Sequence, residues 1–432
     1  MQDIVRTRLL LFLLGLIVVP IGTVLVVLFA KGYRPDLQKG AITVTGLLVA
    51  NSYPEGAQLF INGKLNSATN TTINLPPGYY AVEIKKDGYQ SWHKELVVQP
   101  EIVTRATAVL FPSVPTLKPI TTNGAADPVL SPDGTKAAFT SLTGQQLYTL
   151  DLTESPLGLL NREAKLAADF RNSLFKISGL IWSPDSRLVM AYSPGPELTA
   201  SSSAYLIDPS NQQLTNVTDT YSRTLSDWNL TSRTHELQKL SSLPPILQNI
   251  LATASADLVW SPNENKLLYT ATASAALPAQ LKKPLAGSDN QPQERILIPG
   301  HVYVYDTEED RNFKIDDLLT PTPTPKPSKT RKSPVASGAV LKPQIEKLNP
   351  SGWMWFPTSS HLYKVEHNKI TIKEYDNTNS TVVYAGPLED KSAIPYPSAK
   401  QMLILTNLNA TPITTTPGRA ASWPDLYALS LR

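Results

Sequence analysis

One short phrase recurs along this chain and restricts its fold more than any other feature. It first appears as "LSPDGTKAAF" from Leu130 and returns as "WSPDSRLVMAY" from Trp182, "WSPNENKLLYT" from Trp260, "WFPTSSHLYKV" from Trp355 and "PYPSAKQMLIL" from Pro395. Each copy places a proline after a small or aromatic residue, then a polar step, then a run rich in strand formers. Ser131-Pro132-Asp133-Gly134 has the residues a type I turn favours, because Pro presets φ and Ser bonds back to the backbone. Ser183-Pro184-Asp185 and Ser261-Pro262-Asn263 repeat the pattern, and Pro357 and Pro397 keep only its proline. Where the first copy has Asp133, later copies have Asn263, Thr358 or Ser398, a drift that shared acid-base chemistry could not tolerate. The phrase is therefore read as a turn at the head of a repeated strand unit.

A second phrase follows each opener: "QLYTLDL", "AYLIDP", "HVYVYDT", "ITIKEYD" and "DLYALSL". Opener and closer together predict antiparallel β units around a common core. The five prolines are unevenly spaced. Their first and last intervals suit one blade of roughly 40–50 residues, and the middle two carry insertions. Residues 219–256 contain "SRTHELQKL" and "LPPILQNILATAS", which predict two short helices, the second beginning after Pro245. Residues 272–298 are expected to form a loop. Residues 318–348, with "TPTPTPKPSKTRKSP", are rich in proline and lysine and predict a disordered or polyproline-like excursion.

At the other end of the chain, no charge interrupts the run from Leu9 to Ala30. At 1.5 Å per helical residue that run reaches across a hydrocarbon core of about 30 Å. It is read as a transmembrane anchor over 9–30, with a short cytoplasmic end at 1–8, a polar neck at 31–43 and the bulk of the chain outside the cytoplasm. A cleaved secretory signal would have an apolar region of only about 7–15 residues and a small-x-small site, which Leu28 and Ala30 supply poorly.

After the neck the pattern switches to period two. Tyr80, Val82 and Ile84 fall on one face, with Tyr79, Glu83 and Lys85 opposite. Asn62-Gly63 is a hairpin signal, since both residues accept positive φ, and Asp87-Gly88 is a second turn. The ordered series Pro54-Glu55-Gly56-Ala57, Asn62-Gly63, Pro77-Gly78-Tyr79, Gly88-Tyr89 and Trp92 resembles the PEGA domain, a small β-sandwich, over residues 44–111. That resemblance implies a noncatalytic module common on prokaryotic surface proteins. The Ser-Pro-Asp-Gly openers, with "LKPITTNGAADPVLSPDGTKAAF" and "QQLTNVT", resemble the repeats of TolB-like β-propellers over residues 112–432. Five blades are read. A sixth could be a degenerate unit, or the segment "LFPSVPTLKPIT" could pair with the C-terminal strand and close the ring. The expected fold is thus mainly β: an N-terminal membrane helix, a PEGA-like sandwich, and a TolB-like propeller with helical and disordered insertions.

Chemistry is scarce in this sequence. The 432 residues contain no cysteine, which excludes disulfides, thiolate nucleophiles and cysteine zinc sites. A net charge of +3 gives no basic field for nucleic acid. The five histidines, His93, His235, His301, His361 and His367, form no metal-ligand spacing. There is no GxSxG elbow and no phosphate-binding glycine loop. Acid runs such as Glu308-Glu309-Asp310 and Asp316-Asp317 are read as solvated surface. No catalytic residue, metal or cofactor is assigned.

The expected role is a non-enzymatic scaffold that holds a protein partner or cell-envelope polymer. A polymer binder would expose aromatics along a groove, with Tyr192, Trp228 and Tyr396 as candidates. The alternatives are a propeller enzyme acting on carbohydrate or peptide at the central channel, and an extracytoplasmic sensor working through a partner.

Overall fold

A computed structural model describes residues 2–30, 33–36, 41–154, 163–193, 203–318, 351–389, 392–408 and 423–432. The chain divides into two compact units, Met1–Leu110 with Lys282–Pro292, and Phe111–Leu281 with Gln293–Arg432. The expected excursion at 318–348 lies, but for its first residue, outside the described residues.

In the first unit, helix α1 covers Gln2–Ala30 with Pro20 inside it. Its apolar side chains are exposed on every side, from Phe12 at 68% to Val26 at 68%. Among the described residues no helix is long and apolar enough to cross a membrane. The structure gives a helix where the anchor was expected, and the expected membrane span finds no support in it. Within the expected neck, β1 (Tyr33–Asp36) pairs antiparallel with β2 (Ala41–Val44). The three consecutive β-branched residues of "AITV" suit a strand.

Seven strands make the sandwich: β3 (Gly46–Tyr53), β4 (Gln58–Ile61), β5 (Lys64–Ala68), β6 (Thr71–Leu75), β7 (Gly78–Lys85), β8 (Trp92–Val98) and β9 (Val103–Val109). They form two sheets, ordered β6-β3-β9 and β5-β4-β7-β8, with β3 and β9 parallel. The period-two pattern sends Leu48, Ala50, Leu59, Val82, Ile84, Trp92, Leu96 and Ala106 into one core between them. Asn62 and Gly63 sit at φ 50° and 76°, as a two-residue type I′ hairpin requires. The Asn62 side chain accepts the Ala81 N–H at 2.9 Å and fastens that turn to the neighbouring strand.

The second unit opens with β10 (Leu117–Pro119) and continues as five blades. Blade one holds β11 (Ala126–Leu130), β12 (Lys136–Thr140), β13 (Gln146–Asp151) and β14 (Lys165–Asp169). Blade two holds β15 (Gly179–Trp182), β16 (Val189–Ser193), β17 (Ser203–Asp208) and β18 (Gln213–Asn216). In blade three, β19 (Ser255–Trp260) and β20 (Lys266–Ala271) are followed by a small ladder of β21 (Ala275–Ala276) with β22 (Ile296–Leu297), then by β23 (His301–Asp306) and β24 (Arg311–Asp317). Blade four holds β25 (Trp353–Trp355), β26 (His361–Glu366), β27 (Lys369–Glu374) and β28 (Thr381–Ala385). Blade five is β29 (Ala393–Pro395), β30 (Gln401–Thr406) and β31 (Asp425–Ser430), with β10 as its fourth strand. Leu117 pairs with Leu429 and Pro119 with Tyr427. The expected closure by the segment after Phe111 therefore occurs, and it completes the fifth blade, with no sixth among the described residues.

What takes the place of a sixth blade follows from the alternation of side chains. On blade two, Val189, Ala191 and Ile207 face blade one, while Met190, Ala204 and the flanking Leu206 face helix α2 (Tyr221–Ser241) through Tyr221 and Leu225. On blade three, Leu268, Val302 and Val304 face blade four. Its opposite face, Leu267, Tyr269, Tyr303 and Tyr305, packs on helix α3 (Pro245–Ala254) through Leu247 and Leu251. The two helices also touch one another. A helix pair thus fills the interval between blades two and three, where a further sheet would otherwise bury both faces. The first of these helices is longer than the segment read from the sequence, because Tyr221 and Leu225 anchor an extra N-terminal stretch.

Candidate functional site

The recurrent turns are the strongest candidate on sequence grounds, and all five have one backbone. In each, the residue before proline accepts the N–H three positions later: Gly134 to Ser131 at 2.8 Å, Ser186 to Ser183 at 2.9 Å, Glu264 to Ser261 at 2.8 Å, Ser359 to Phe356 at 3.0 Å and Ala399 to Tyr396 at 2.8 Å. That bond marks a closed β-turn. The fourth residue is left-handed every time, at φ 71° for Gly134, 58° for Ser186, 61° for Glu264, 58° for Ser359 and 58° for Ala399. Only the first copy supplies the glycine that tolerates this without steric cost.

The polar residues of the motif are spent inside the turn. The Ser131 hydroxyl donates to Asp133 at 2.6 Å and accepts the Lys136 N–H at 2.9 Å. Ser183 does the same with Asp185 and Leu188, and Ser261 with Asn263 and Lys266. Burial raises the Asp133 pKa, but hydrogen bonds from Ser131, Thr135 and Ser186 outweigh it and hold the carboxyl below the usual range. At Asp185 the Ser183 hydroxyl lowers the pKa against a smaller effect of burial. Acids held ionised in this way are poor proton donors near neutral pH.

The fourth turn residues of two copies, Ser186 and Ser359, join the turns of neighbouring blades. The Asp133 N–H donates to the Ser186 hydroxyl at 3.0 Å, and the Asn263 N–H donates to the Ser359 hydroxyl at 3.0 Å. The motif tryptophans act alongside them. Trp182 donates its indole N–H to the Val129 carbonyl at 3.1 Å, and Trp355 donates to Val259 at 2.9 Å. Blade one is thus fastened to blade two, and blade three to blade four, by the same pair of bonds. Trp260, which follows the helix pair, packs at the edge of the core against α3. Pro132, Pro184, Pro262, Pro357 and Pro397 all stand at the second turn position.

A second repeated residue lies in the closing strands. Asp151, Asp208, Asp306 and Asp376 each accept the N–H two residues on, from Thr153, Ser210, Glu308 and Thr378. This Asx turn caps the third strand of four blades. The quoted closers contained these aspartates, three of them as the last residue of the strand (Asp151, Asp208, Asp306), while Asp376 stands two residues beyond β27.

The acid runs are not all solvated surface. Asp310 is 4% exposed and receives Arg295 at 2.8 Å and the Tyr305 hydroxyl at 2.7 Å. Asp316 accepts the Trp353 indole N–H at 2.7 Å and Lys364 at 3.0 Å. Lys373 lies 4.2 Å from the Trp353 ring centroid and donates to the Ile315 carbonyl and to Asn377. Burial lowers its pKa to about 8, with Asp316 opposing. Its hydrogen bonds and its burial make it a joint between blades three and four. Among the described residues no group of His, Asp or Glu could hold a metal ion.

Of the aromatics expected to line a groove, Tyr396 is buried and Tyr192 and Trp228 are half-buried. Tyr396 is 5% exposed in the core shared by blades one and five, and Tyr192 and Trp228 pack into the contact between blade two and α2. They are consumed by packing because their strands and helix present them inward. Large aromatics exposed beyond α1 include Tyr79 at 80% and Trp423 at 60%, the second unmarked by any motif.

In the sandwich, Ala57 and Trp92 are core residues, and Tyr89 packs against that core. Glu55 is exposed and its carbonyl accepts Lys86. Gly56 and Gly88 lie at φ 69° and 81° in turns. Pro77 and Gly78 lead into β7, and Pro54 begins the turn to β4.

Residues 45–113 match the PEGA domain family, so the sandwich is a PEGA domain. Solved structures similar to the chain include TolB from Acinetobacter baumannii, at 12% identity and a TM-score of 0.21, covering 82% of this chain and 59% of that one. They also include an oligogalacturonate lyase in complex with manganese, at 10% identity and a TM-score of 0.25, covering 82% and 86%. Oligogalacturonate lyase from Vibrio parahaemolyticus stands at 8% identity and a TM-score of 0.25, covering 87% and 96%. The chain spans 59% of the length of the A. baumannii TolB chain. No curated protein matches it in sequence. The propeller assignment rests on the five four-stranded sheets themselves.

Proposed function

We propose that this protein is a membrane-anchored, surface-exposed scaffold whose PEGA domain and propeller hold a protein partner or a cell-envelope polymer without turning it over. The observation that carries the binding reading is the fate of the repeated motif. Its serines, acids and tryptophans are engaged in turn closure and blade contacts, so the residues most repeated along the chain build the framework. Function then falls to surfaces that differ from blade to blade, as is usual where a rigid fold presents variable loops.

Helix α1 supports the anchor. Its large apolar side chains from Phe12 to Val27 lie exposed on every face, a pattern that suits a lipid environment. The experiment is retention of the detergent-solubilised full chain on envelope extract and on purified wall polymer. Capture of one defined component by the full chain supports the scaffold. Retention by neither removes it.

A further inference from the structure

The PEGA unit contains a piece of chain that its family match does not include. Between β21 and β22 of blade three the polypeptide leaves the propeller unit at Leu281, and residues Lys282–Pro292 belong to the PEGA unit. They run against β8 and β9, which are edge strands of the two sandwich sheets. An open sheet edge presents unpaired carbonyls and invites pairing with any extended chain.

Here the edge is met by side chains in a fitted order. The Gln291 amide donates to the Glu95 carbonyl at 2.7 Å, and the Asn290 amide donates to the same oxygen at 3.2 Å. Asp289 faces Lys94 at 3.4 Å, with both side chains about nine-tenths buried, at 9% and 10% exposure. Gly287 stands at φ 75°, and a Cβ there would come within 2.5 Å of the Val103 carbonyl. No other residue fits so close to β9. Gln291 is itself 8% exposed.

We infer that the β8–β9 edge of the PEGA domain is a recognition site for a Gly-Ser-Asp-Asn-Gln segment, and that this chain occupies the site with its own residues 287–291. Glu95 contributes a backbone carbonyl, the Val103 carbonyl leaves room only for glycine, and Lys94 selects for the acid. The occupant follows from the contacts: a buried ion pair, two amides on one carbonyl and a glycine-only approach fit this sequence and few others. The inference is independent of the proposed anchor and of the partner.

The test uses the full chain with residues 282–292 replaced by a Gly-Ser linker of equal length, and a fluorescent peptide of residues 282–292 as the probe. The peptide is expected to bind this variant at least tenfold more tightly than the unaltered chain, where the site is filled, and Lys94→Glu is expected to abolish the gain. Equal binding to both chains, equal binding of a scrambled peptide, or dimerisation of the variant in place of peptide binding overturns the inference. Should the linker variant not fold, hydrogen exchange across 282–292 decides instead. Lys94→Asp and Asp289→Lys should each raise exchange, and the two together should restore it. Failure of the double variant to restore protection counts against the site.

Discussion

Trp182 reaches across a blade boundary to place its indole N–H 3.1 Å from the carbonyl of Val129. The bond makes one repeat's opening residue a fastening for the preceding repeat, and Trp355 repeats it on Val259. Replacing Trp182 with Phe removes this bond between blades, at a cost of about 0.5–1.5 kcal/mol. Trp355→Phe should cost a similar amount. Chemical denaturation of both variants checks this, and Trp423→Phe, which alters an exposed ring, should stay within about 0.5 kcal/mol of the parent.

The left-handed fourth turn position gives a sign that depends on the blade. Glu264→Gly should stabilise the fold by roughly 0.5–1 kcal/mol, because the φ of 61° strains any side chain. Gly134→Ala should destabilise by about 1 kcal/mol for the same reason. Ser186→Gly should gain less than Glu264→Gly, since it also loses the hydroxyl that accepts the Asp133 N–H. Thermal melts of the three variants order these effects.

Helix α3 covers a blade face that would otherwise meet water. Leu247, fully buried against Tyr269 and Tyr303, should cost about 2–5 kcal/mol when cut to Ala. Ile246, its 57% exposed neighbour, should cost little. Denaturant midpoints distinguish the two, and equal effects would show that the helix does not cover the blade.

Lys373 predicts a pH dependence of known sign. Its folded pKa of about 8 lies below the unfolded value near 10.4, so the unfolded chain binds more protons between them. Stability contributed through this residue should therefore rise with pH from about 8 to about 10. Lys373→Met should flatten that slope in denaturation curves taken at several pH values. At the acid end, Asp133 and Asp185 have lowered pKa values, so their contribution is present near neutrality and lost below about pH 4.

The parts of this fold written in local chemistry were legible in the sequence. Pro132 and its four counterparts announced turns because proline fixes φ wherever it stands, and Asn62-Gly63 announced a hairpin because few residue pairs accept its backbone. Partners at long range were not legible. Nothing in Ser186 or Ser359 says that a turn in the preceding blade will donate to it, since each bond spans a repeat boundary. Tyr192, Trp228 and Tyr396 were read as exposed because aromatic residues carry no mark of which face will be covered. The helix pair was visible as helices, but its place between blades two and three emerges only once Met190 and Tyr269 are seen to point away from their sheet neighbours. Asp310 was misjudged because burial of a charge depends on an arginine fifteen residues away.

Flotation of the full chain with lipid vesicles and solubilised envelope components tests the scaffold most directly. The chain is predicted to rise with the vesicles and bring one component up in fixed proportion, and a chain lacking residues 2–30 should remain at the bottom with that component. A full chain that stays at the bottom, or that rises alone, contradicts the account.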